Sequence, residues 1–202
     1  MTHSPAVPAP KPDAQTARRL SSLLERIQAL LERSPHVSVA LDGPAAAGKS
    51  LTAAWLAARF DCRLVHMDDF FLPPELRTPD RLAEPGGNIH YERFLEQVLP
   101  ALRSGDALDY PAFDCAHMAY GARRQLPPRT LTVVEGVYSQ HPRFGTPYGL
   151  TVFLTVDPEE QRRRILARDG PDMLDRYLRQ WIPLEERYFT HCHTREHADL
   201  VL

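Results

Sequence analysis

The stretch Val37–Phe60, VSVALDGPAAAGKSLTAAWLAARF, decides how the rest of this chain is interpreted. It begins with the apolar run Val37–Leu41, which is typical of a buried strand. Residues 43–50, GPAAAGKS, then fit the phosphate-loop pattern G-x-x-x-x-G-K-[ST]. Residues 51–60 are rich in Ala and contain no Gly or Pro, so a helix is predicted to follow. A chance match would lack this order of strand, glycine loop and helix, which is the context in which the motif binds phosphate.

Each position of the loop has a chemical reason. Gly43 and Gly48 allow tight backbone conformations, which let successive N–H groups point at phosphate oxygens. The beginning of the helix adds free N–H groups and the positive end of its dipole. Lys49 is predicted to reach the β- and γ-phosphates, and Ser50 is predicted to place its hydroxyl on Mg²⁺. The predicted nucleotide-binding residues of this segment are Gly43, Ala45, Ala46, Ala47, Gly48, Lys49, Ser50 and Leu51.

The composition limits the classes of protein to consider. A chain of 202 residues suits one α/β domain with a sizeable core. A net charge of −2 argues against a general attraction to nucleic acid or to an anionic membrane. The 3 cysteines lie far apart and are odd in number, which favours free thiols in a reducing compartment. Because the chain has no apolar run of membrane-spanning length and no signal-peptide core, a soluble cytoplasmic protein is expected.

Acidic residues follow two further apolar strands. A strand predicted over Arg63–Met67 runs into Asp68 and Asp69, and another over Leu131–Gly136 carries Glu135 near its end. The ligand crevice of an open α/β sheet lies at the carboxyl ends of its strands. Asp68 is therefore placed to accept the proton of an attacking hydroxyl, and Glu135 to lie near the phosphate-loop serine and Mg²⁺. The alternatives are a turn or helix-cap acid for the aspartates, and for Glu135 an acid at the sheet edge paired with an arginine.

The remaining segments are predicted to complete a single domain over residues 14–202. The Pro-rich residues 1–13 are predicted to be a disordered tail. A long loop over residues 72–89 is of the kind that is usually functional. Further helices are predicted over residues 14–33, 90–102, 159–168 and 173–189, the last broken near Pro183, and further strands over residues 150–156 and 198–202.

The helix over residues 159–168 is dense in arginine. Gly170 and Pro171 end it, which suits a mobile lid over about residues 162–175 that closes over a triphosphate. Arginines delivered by such a lid would offset the charge that develops on the transferred phosphoryl group. A solvated arginine face is the alternative interpretation.

Aromatic residues mark a Pro-interrupted extended segment that begins at Asp109 and turns back near Tyr120. Tyr110, Phe113 and Tyr120 could form the wall of a pocket for a flat substrate. A plain aromatic cluster beneath a hairpin explains the same pattern, so both interpretations stay open.

The order of these motifs resembles the uridine kinase family, within the group that includes phosphoribulokinase and pantothenate kinase. The acid-aromatic motif, EGVYS and the arginine segment in this order are more specific than the generic phosphate loop. The resemblance implies an α/β, P-loop NTPase fold with about five largely parallel strands flanked by helices, and an arginine-rich lid. The matching pieces extend from about Val37 to Leu202 and are GPAAAGKS, HMDDFF, the region of Asn88–Tyr91, YPAFD, VVEGVYS, VDPEEQRRRILARD and ADLVL.

The resemblance also implies roles for individual residues. Asp68 corresponds to the family's catalytic acid, and Ser50 and Glu135 correspond to its magnesium partners. The other implied residues act either on the nucleotide and its transferred phosphoryl group or on the acceptor. They are Lys49, Arg163, Arg164 and Arg168 for the first role, and Phe71, His90, Tyr110, Phe113 and Asp114, together with Asp68, for the second.

Two positions depart from the family's pattern, and both fall in the expected acceptor pocket. His90 stands where uridine kinases have an Asp, two residues after Asn88, that grips the ribose hydroxyls. His117 is one residue out of step with the family's histidine, and no basic residue follows it directly. The departures therefore bear on the identity of the acceptor, whereas the phosphate-binding residues are all present.

Together these features predict a kinase that uses ATP or GTP with Mg²⁺ to phosphorylate a small-molecule hydroxyl, the 5′-OH of uridine or cytidine. One alternative is a kinase of another alcohol, such as a vitamin precursor or a sugar phosphate; Arg77, Arg81, Arg123 and Arg124 are available to bind a phosphorylated acceptor. The other is a nucleotide-binding regulatory protein without catalysis.

Uridine kinases often form tetramers, so the resemblance is compatible with a homo-oligomer. No nucleic-acid or membrane partner is expected.

Overall fold

The computed structural model describes residues 14–202, with side chains described from residue 20 onward. The Pro-rich tail predicted over residues 1–13 lies outside the described residues. The main sheet has five parallel strands, which are β1 (Val37–Asp42), β2 (Cys62–His66), β5 (Leu131–Glu135), β6 (Leu150–Phe153) and β7 (Leu200–Val201). They lie side by side in the order β2-β5-β1-β6-β7.

The central strand β1 is paired on both sides. It aligns Val37 with Leu131 of β5, and Val39 with Leu150 of β6. Every residue of β1 and β5 is buried. Parallel strands covered on both faces read as continuous apolar runs, which is why the strand positions were predictable from the sequence. The five-stranded parallel sheet is confirmed, although β6 and β7 are shorter than the predicted segments.

Helices cover both faces of the sheet. On one face, Leu23 and Ile27 of the first helix pack in one cluster with Leu56 of the second helix and with the central strands. On the other face, Phe94 and Tyr188 belong to a second buried cluster. None of the helices in the described part of the chain has both the length and the apolar character needed to cross a bilayer. The helices are α1 (Ala14–Leu31), α2 (Lys49–Ala57), α3 (Pro79–Ala83), α4 (Tyr91–Gln97), α5 (Leu99–Ser104), α6 (Pro158–Asp169), α7 (Pro171–Arg176), α8 (Ile182–Cys192) and α9 (Thr194–His197).

The predicted hairpin is present as a separate two-stranded antiparallel sheet. Its strands are β3 (Leu108–Asp114) and β4 (Ala119–Leu126). Tyr110 is fully buried beneath the hairpin, with its ring centroid 4.9 Å from that of Phe70. The hairpin therefore rests on the residues that follow β2.

Two predicted segments are corrected by the structure, and a third is interrupted close to where a break was predicted. The loop over residues 72–89 contains α3, because Thr78 caps its first turn by accepting from the Arg81 N–H at 3.2 Å. The helix predicted over residues 90–102 is two helices, α4 and α5, with Pro100 in the first turn of α5. The segment 173–189 is interrupted by a π-helical turn, Tyr177–Trp181, just before Pro183. Proline has no N–H to continue the preceding ladder, so this break agrees with the predicted one.

Candidate active site

The phosphate loop joins β1 to α2, as the motif predicted. Gly43 has φ +134°, and a Cβ atom there would lie 2.2 Å from the carbonyl oxygen of Leu154. Gly48 has φ +96° and precedes the first residue of α2. Side-chain-bearing residues rarely adopt these backbone conformations, so both glycines of the motif are needed for the shape of the loop. Leu51, the last of the predicted nucleotide-binding residues, exposes its side chain on α2.

Lys49 is buried and folded over its own loop. Its Nζ donates to the carbonyl oxygens of Gly43 and Pro44, each at 2.7 Å. Burial lowers the pKa of the Lys49 ammonium, and the nearby carboxylates of Glu185 and Asp42 act in the opposite direction. The cation is therefore already inside the loop that is predicted to bind phosphate.

Two helices, α6 and α8, hold the phosphate loop. Gln161 of α6 donates its amide to the Ala45 carbonyl at 3.0 Å, and Arg164 donates to the Ala46 carbonyl at 3.0 Å. Glu185 of α8 accepts the Ala45 N–H at 2.9 Å. Sequence reasoning missed Glu185, because no motif links it to a loop 140 residues earlier.

The predicted metal pair is brought together. Ser50 donates its hydroxyl to Oε2 of Glu135 at 3.0 Å, across the ends of α2 and β5. The other oxygen, Oε1, lies 2.6 Å from Nδ1 of His66. This hydrogen bond raises the pKa of His66. His66 was not predicted, but it stands opposite Glu135 in the β2–β5 register and could have been found from strand alignment.

The two consecutive aspartates after β2 have different surroundings. Asp68 is exposed to solvent just beyond the carboxyl end of β2, at the edge where open α/β sheets have their ligand cleft. Desolvation by the surrounding protein nevertheless raises its pKa, and the charge of Glu135 raises it further. Asp69 is buried and accepts from both Nε and Nη2 of Arg124 at 3.2 Å, and from the Tyr110 hydroxyl at 3.3 Å. Asp69 therefore ties the hairpin to the sheet, while Asp68 faces the cleft.

Asp42, at the end of β1, organises the turns beside the site. Its carboxylate accepts the N–H groups of Gly43, Tyr138 and Gln140, and the Tyr188 hydroxyl at 2.8 Å. Complete burial raises the pKa of Asp42 to about 6, although these hydrogen bonds act to lower it. This role was not predicted, because in the sequence Asp42 is simply the residue before the motif.

The residues predicted to touch an acceptor do not all line the cleft. Tyr110 was named for this role, but its ring is fully buried and its hydroxyl donates to Asp69, so it belongs to the core. Phe71 and Phe113 lie edge to face with centroids 6.4 Å apart, and Phe71 is half-buried. Phe113 is buried, so of these two rings Phe71, three residues after Asp68, is the one that offers an aromatic surface to a ligand.

Two polar residues predicted to contact an acceptor are bonded within the protein. Asp114 accepts the N–H of Ala116 at 2.8 Å, and its other oxygen lies 2.8 Å from Nδ1 of His117. His90 is hydrogen-bonded through Nδ1 to the hydroxyl of Tyr120. Asp114 therefore closes the turn of the hairpin, and His90 joins the hairpin to the start of α4.

The arginines of the predicted lid are held by local acids. Arg163 and Arg164 both bind Glu160, at 2.6 Å and 2.7 Å, and these contacts lower the pKa of Glu160 to about 2. Arg168 binds Asp169 at 2.8 Å. Of the three predicted lid arginines, Arg164 is the one that also reaches the phosphate loop, where it donates to the Ala46 carbonyl.

Neither a protein-family model nor a curated protein matches this sequence, whereas solved structures match its fold. A possible uridine kinase from Bacillus stearothermophilus has a TM-score of 0.64 at 17% identity, over 90% of this chain and 99% of that one. A candidate kinase of a fructose transport system from Silicibacter sp. TM1040 has a TM-score of 0.62 at 24% identity, over 91% of this chain and 98% of that one. A D-glycerate 3-kinase from Cryptococcus neoformans var. grubii has a TM-score of 0.59 at 15% identity, over 87% and 88%.

These likenesses show that the chain has the α/β fold of the P-loop kinases. They confirm the fold that the resemblance to uridine kinases implied. The proteins that share the fold are described as acting on different acceptors, a nucleoside in one case and glycerate in another. The shared fold therefore leaves the acceptor to be argued from the residues of this chain.

Proposed function

We propose that this chain transfers the γ-phosphoryl group of ATP or GTP to the hydroxyl of a small molecule. The observation that carries this proposal is the convergence of three groups at the carboxyl ends of neighbouring strands. Lys49 lies in the phosphate loop, the Ser50–Glu135 pair lies beside it, and Asp68 is exposed in the cleft. A cation, a pair of oxygen ligands and a base are the parts that phosphoryl transfer requires.

The Ser50–Glu135 pair fits Mg²⁺, the cofactor that the proposal needs. A hydroxyl and a carboxylate oxygen 3.0 Å apart are hard donors of the kind Mg²⁺ prefers. Among the described residues, no group of three His, Cys, Asp or Glu side chains could hold a metal ion by itself. Water and nucleotide phosphates would complete the coordination, and the bound ion would supply positive charge to the β- and γ-phosphates.

The protein's own groups have distinct tasks in this proposal. Lys49 would turn from the carbonyls of Gly43 and Pro44 to the phosphates, exchanging two neutral acceptors for charged ones. Asp68 would orient the acceptor hydroxyl and take its proton; its raised pKa makes it a better base than an ordinary carboxylate. Arg164, bonded to the Ala46 carbonyl, is placed to add charge at the edge of the loop.

Uridine or cytidine is the acceptor that the resemblance favours. The exposed part of Phe71 supports this candidate because an aromatic ring can pack against a flat base. Other residues of the implied pocket argue against it, since Phe113 and Tyr110 are buried, Asp114 is bonded to His117, and His90 replaces the family's ribose-binding acid.

A specific observation favours a second candidate, an alcohol that carries an anionic group. Arg81, Arg123 and Arg124 are each paired with a carboxylate, at 2.7, 2.8 and 3.2 Å. Arg77 instead donates to the Leu72 carbonyl at 2.7 Å and lies over the ring of Phe113 at 6.0 Å. Burial lowers the pKa of Arg77, and the positive charge of Arg176 on α7 also acts to lower it. Because Arg77 forms no ion pair with a carboxylate of the described residues, its guanidinium can bind a phosphate or carboxylate of the acceptor.

The proposed function is tested by ADP release from ATP and Mg²⁺ over a panel of nucleosides, sugar phosphates and carboxylated alcohols, with Lys49→Ala as the blank. Stimulation by uridine or cytidine supports the first candidate. Stimulation by an anionic alcohol alone, reduced in Arg77→Ala, supports the second. ATP binding with no acceptor-dependent ADP release would refute the kinase and leave a nucleotide-binding regulatory protein.

A further inference from the structure

An acidic side chain occupies the phosphate loop. The Glu185 carboxylate comes from α8, is buried, and accepts the Ala45 N–H at 2.9 Å. Phosphate loops bind anions through backbone N–H groups, and a carboxylate is itself an anion. Glu185 therefore holds one of the donors of the loop that is expected to receive the triphosphate.

The position of the carboxylate is fixed by its surroundings. The residue that it binds is also held by Gln161, which donates to the Ala45 carbonyl at 3.0 Å. Glu185 lies one turn of helix before Tyr188, which is fully buried and bonded to Asp42 at 2.8 Å. Because both α8 and the loop are held by other contacts, the helix keeps the carboxyl group beside the loop when a ligand enters.

We infer that the Glu185 carboxylate is an internal anion that is protonated when a triphosphate enters the loop, so nucleotide binding takes up a proton. This inference rests on the proposed nucleotide binding. The proton comes from solvent and adds to the carboxylate, and no other bond forms or breaks. A neutral carboxyl group next to the phosphates removes the repulsion between two anions and can donate a hydrogen bond to one of them.

The charges around Glu185 set the pH range of this effect. Burial raises the pKa of Glu185 to about 7; the hydrogen bond from the Ala45 N–H and the charge of Lys49 act to lower it, and Asp42 and Asp68 act to raise it. The carboxyl group is therefore mostly protonated at pH 6 and mostly ionised at pH 8 in the free protein. If only the protonated form accepts the triphosphate, affinity falls about tenfold between pH 6 and pH 8. The other charged groups nearby are Glu186, Arg195 and Glu196, which line a cavity of about 300 Å³ with Glu185.

The test is calorimetric titration of the full chain with ATP in excess Mg²⁺, at pH 6 and pH 8, without acceptor. Each titration is made in two buffers of different ionisation enthalpy, so that proton uptake is measured directly. Glu185→Gln removes the titrating group while keeping the shape of the side chain. Glu186→Gln is the matched control, because Glu186 is the exposed neighbour on the same helix and has no bond to the loop.

We expect the wild type and Glu186→Gln to take up close to one proton per ATP at pH 8, and to bind about tenfold more weakly there than at pH 6. Glu185→Gln should lose most of this uptake and bind with nearly the same affinity at both pH values. Equal proton uptake in all three proteins, or none in the wild type, would overturn the inference. Loss of ATP binding in Glu185→Gln alone would also overturn it. Absence of ATP binding by the wild type would refute the proposed function as well.

Discussion

Replacing the two aspartates after β2 one at a time should separate turnover from stability. Asp68→Asn removes the proposed base, whose contribution is typically 10²- to 10⁴-fold, so turnover of the accepted alcohol should fall by about that factor. Its effect on the free energy of unfolding should be within about 0.5 kcal/mol, because Asp68 is exposed and is repelled by Glu135.

Asp69→Asn should have the opposite profile. The side chain of Asp69 is 6% exposed, and it holds Arg124, whose side chain is 50% exposed. Hydrogen bonds to a charged group contribute about 1.5–3 kcal/mol, and the exposure of Arg124 reduces that figure. We therefore expect a loss of about 2 kcal/mol, which corresponds to a fall in Tm of about 4–8 °C for a chain of this size.

Urea unfolding and initial rates on the same two preparations provide the measurement. The rates of Asp69→Asn are taken well below its Tm, where the folded fraction is complete, and should stay within a few-fold of the wild type. If Asp68→Asn kept its turnover, or if the two variants unfolded at the same urea concentration, the assignment of one aspartate to the cleft and the other to the core would be wrong.

Three further predictions concern glycine, metal and acid. Gly43→Ala should lower the free energy of unfolding in urea by about 3 kcal/mol, because Gly43 has φ +134° and the new Cβ would lie 2.2 Å from a backbone oxygen. Gly149→Ala is the control: the nearest atom to its Cβ is 3.6 Å away, so the cost should be under about 0.5 kcal/mol. His66→Ala should raise the Mg²⁺ concentration for half-maximal activity about 10- to 100-fold by releasing Glu135, with ATP binding in EDTA unchanged. The arginines beside Glu160 lower its pKa to about 2, so the contribution of its charge to stability is present above its ordinary pKa of 4.5 and is lost as the pH falls toward 2. The difference in free energy of unfolding between the wild type and Glu160→Gln should therefore shrink as the pH falls over that range.

The fold was predictable because its signals are local. The strands β1 and β5 are short runs buried at every residue, and the phosphate loop lies between a strand and a helix as its motif requires. The proximity of Ser50 and Glu135 was also predictable, because the carboxyl ends of adjacent parallel strands meet at one edge of the sheet.

The parts that were not predictable depend on tertiary packing. Asp68 and Asp69 are identical neighbours in the sequence, and only the short 3₁₀ turn Met67–Phe70 gives them different surroundings. Tyr110 was predicted as a possible pocket residue, and it is buried because the hairpin packs on Phe70. No sequence motif marks Glu185, because its partner is a backbone N–H 140 residues away.

The position of β1 in the sheet has a consequence for the time at which the site forms during synthesis. The strand that carries the phosphate loop is made early, yet both of its neighbours, β5 and β6, are made much later, and Gly43 closes against Leu154. At about 5–20 residues per second, a ribosome needs roughly 5–20 seconds to pass from the loop to Leu154. During that interval the loop has no sheet to hold it, so a nascent chain should become able to bind nucleotide only after β6 has emerged.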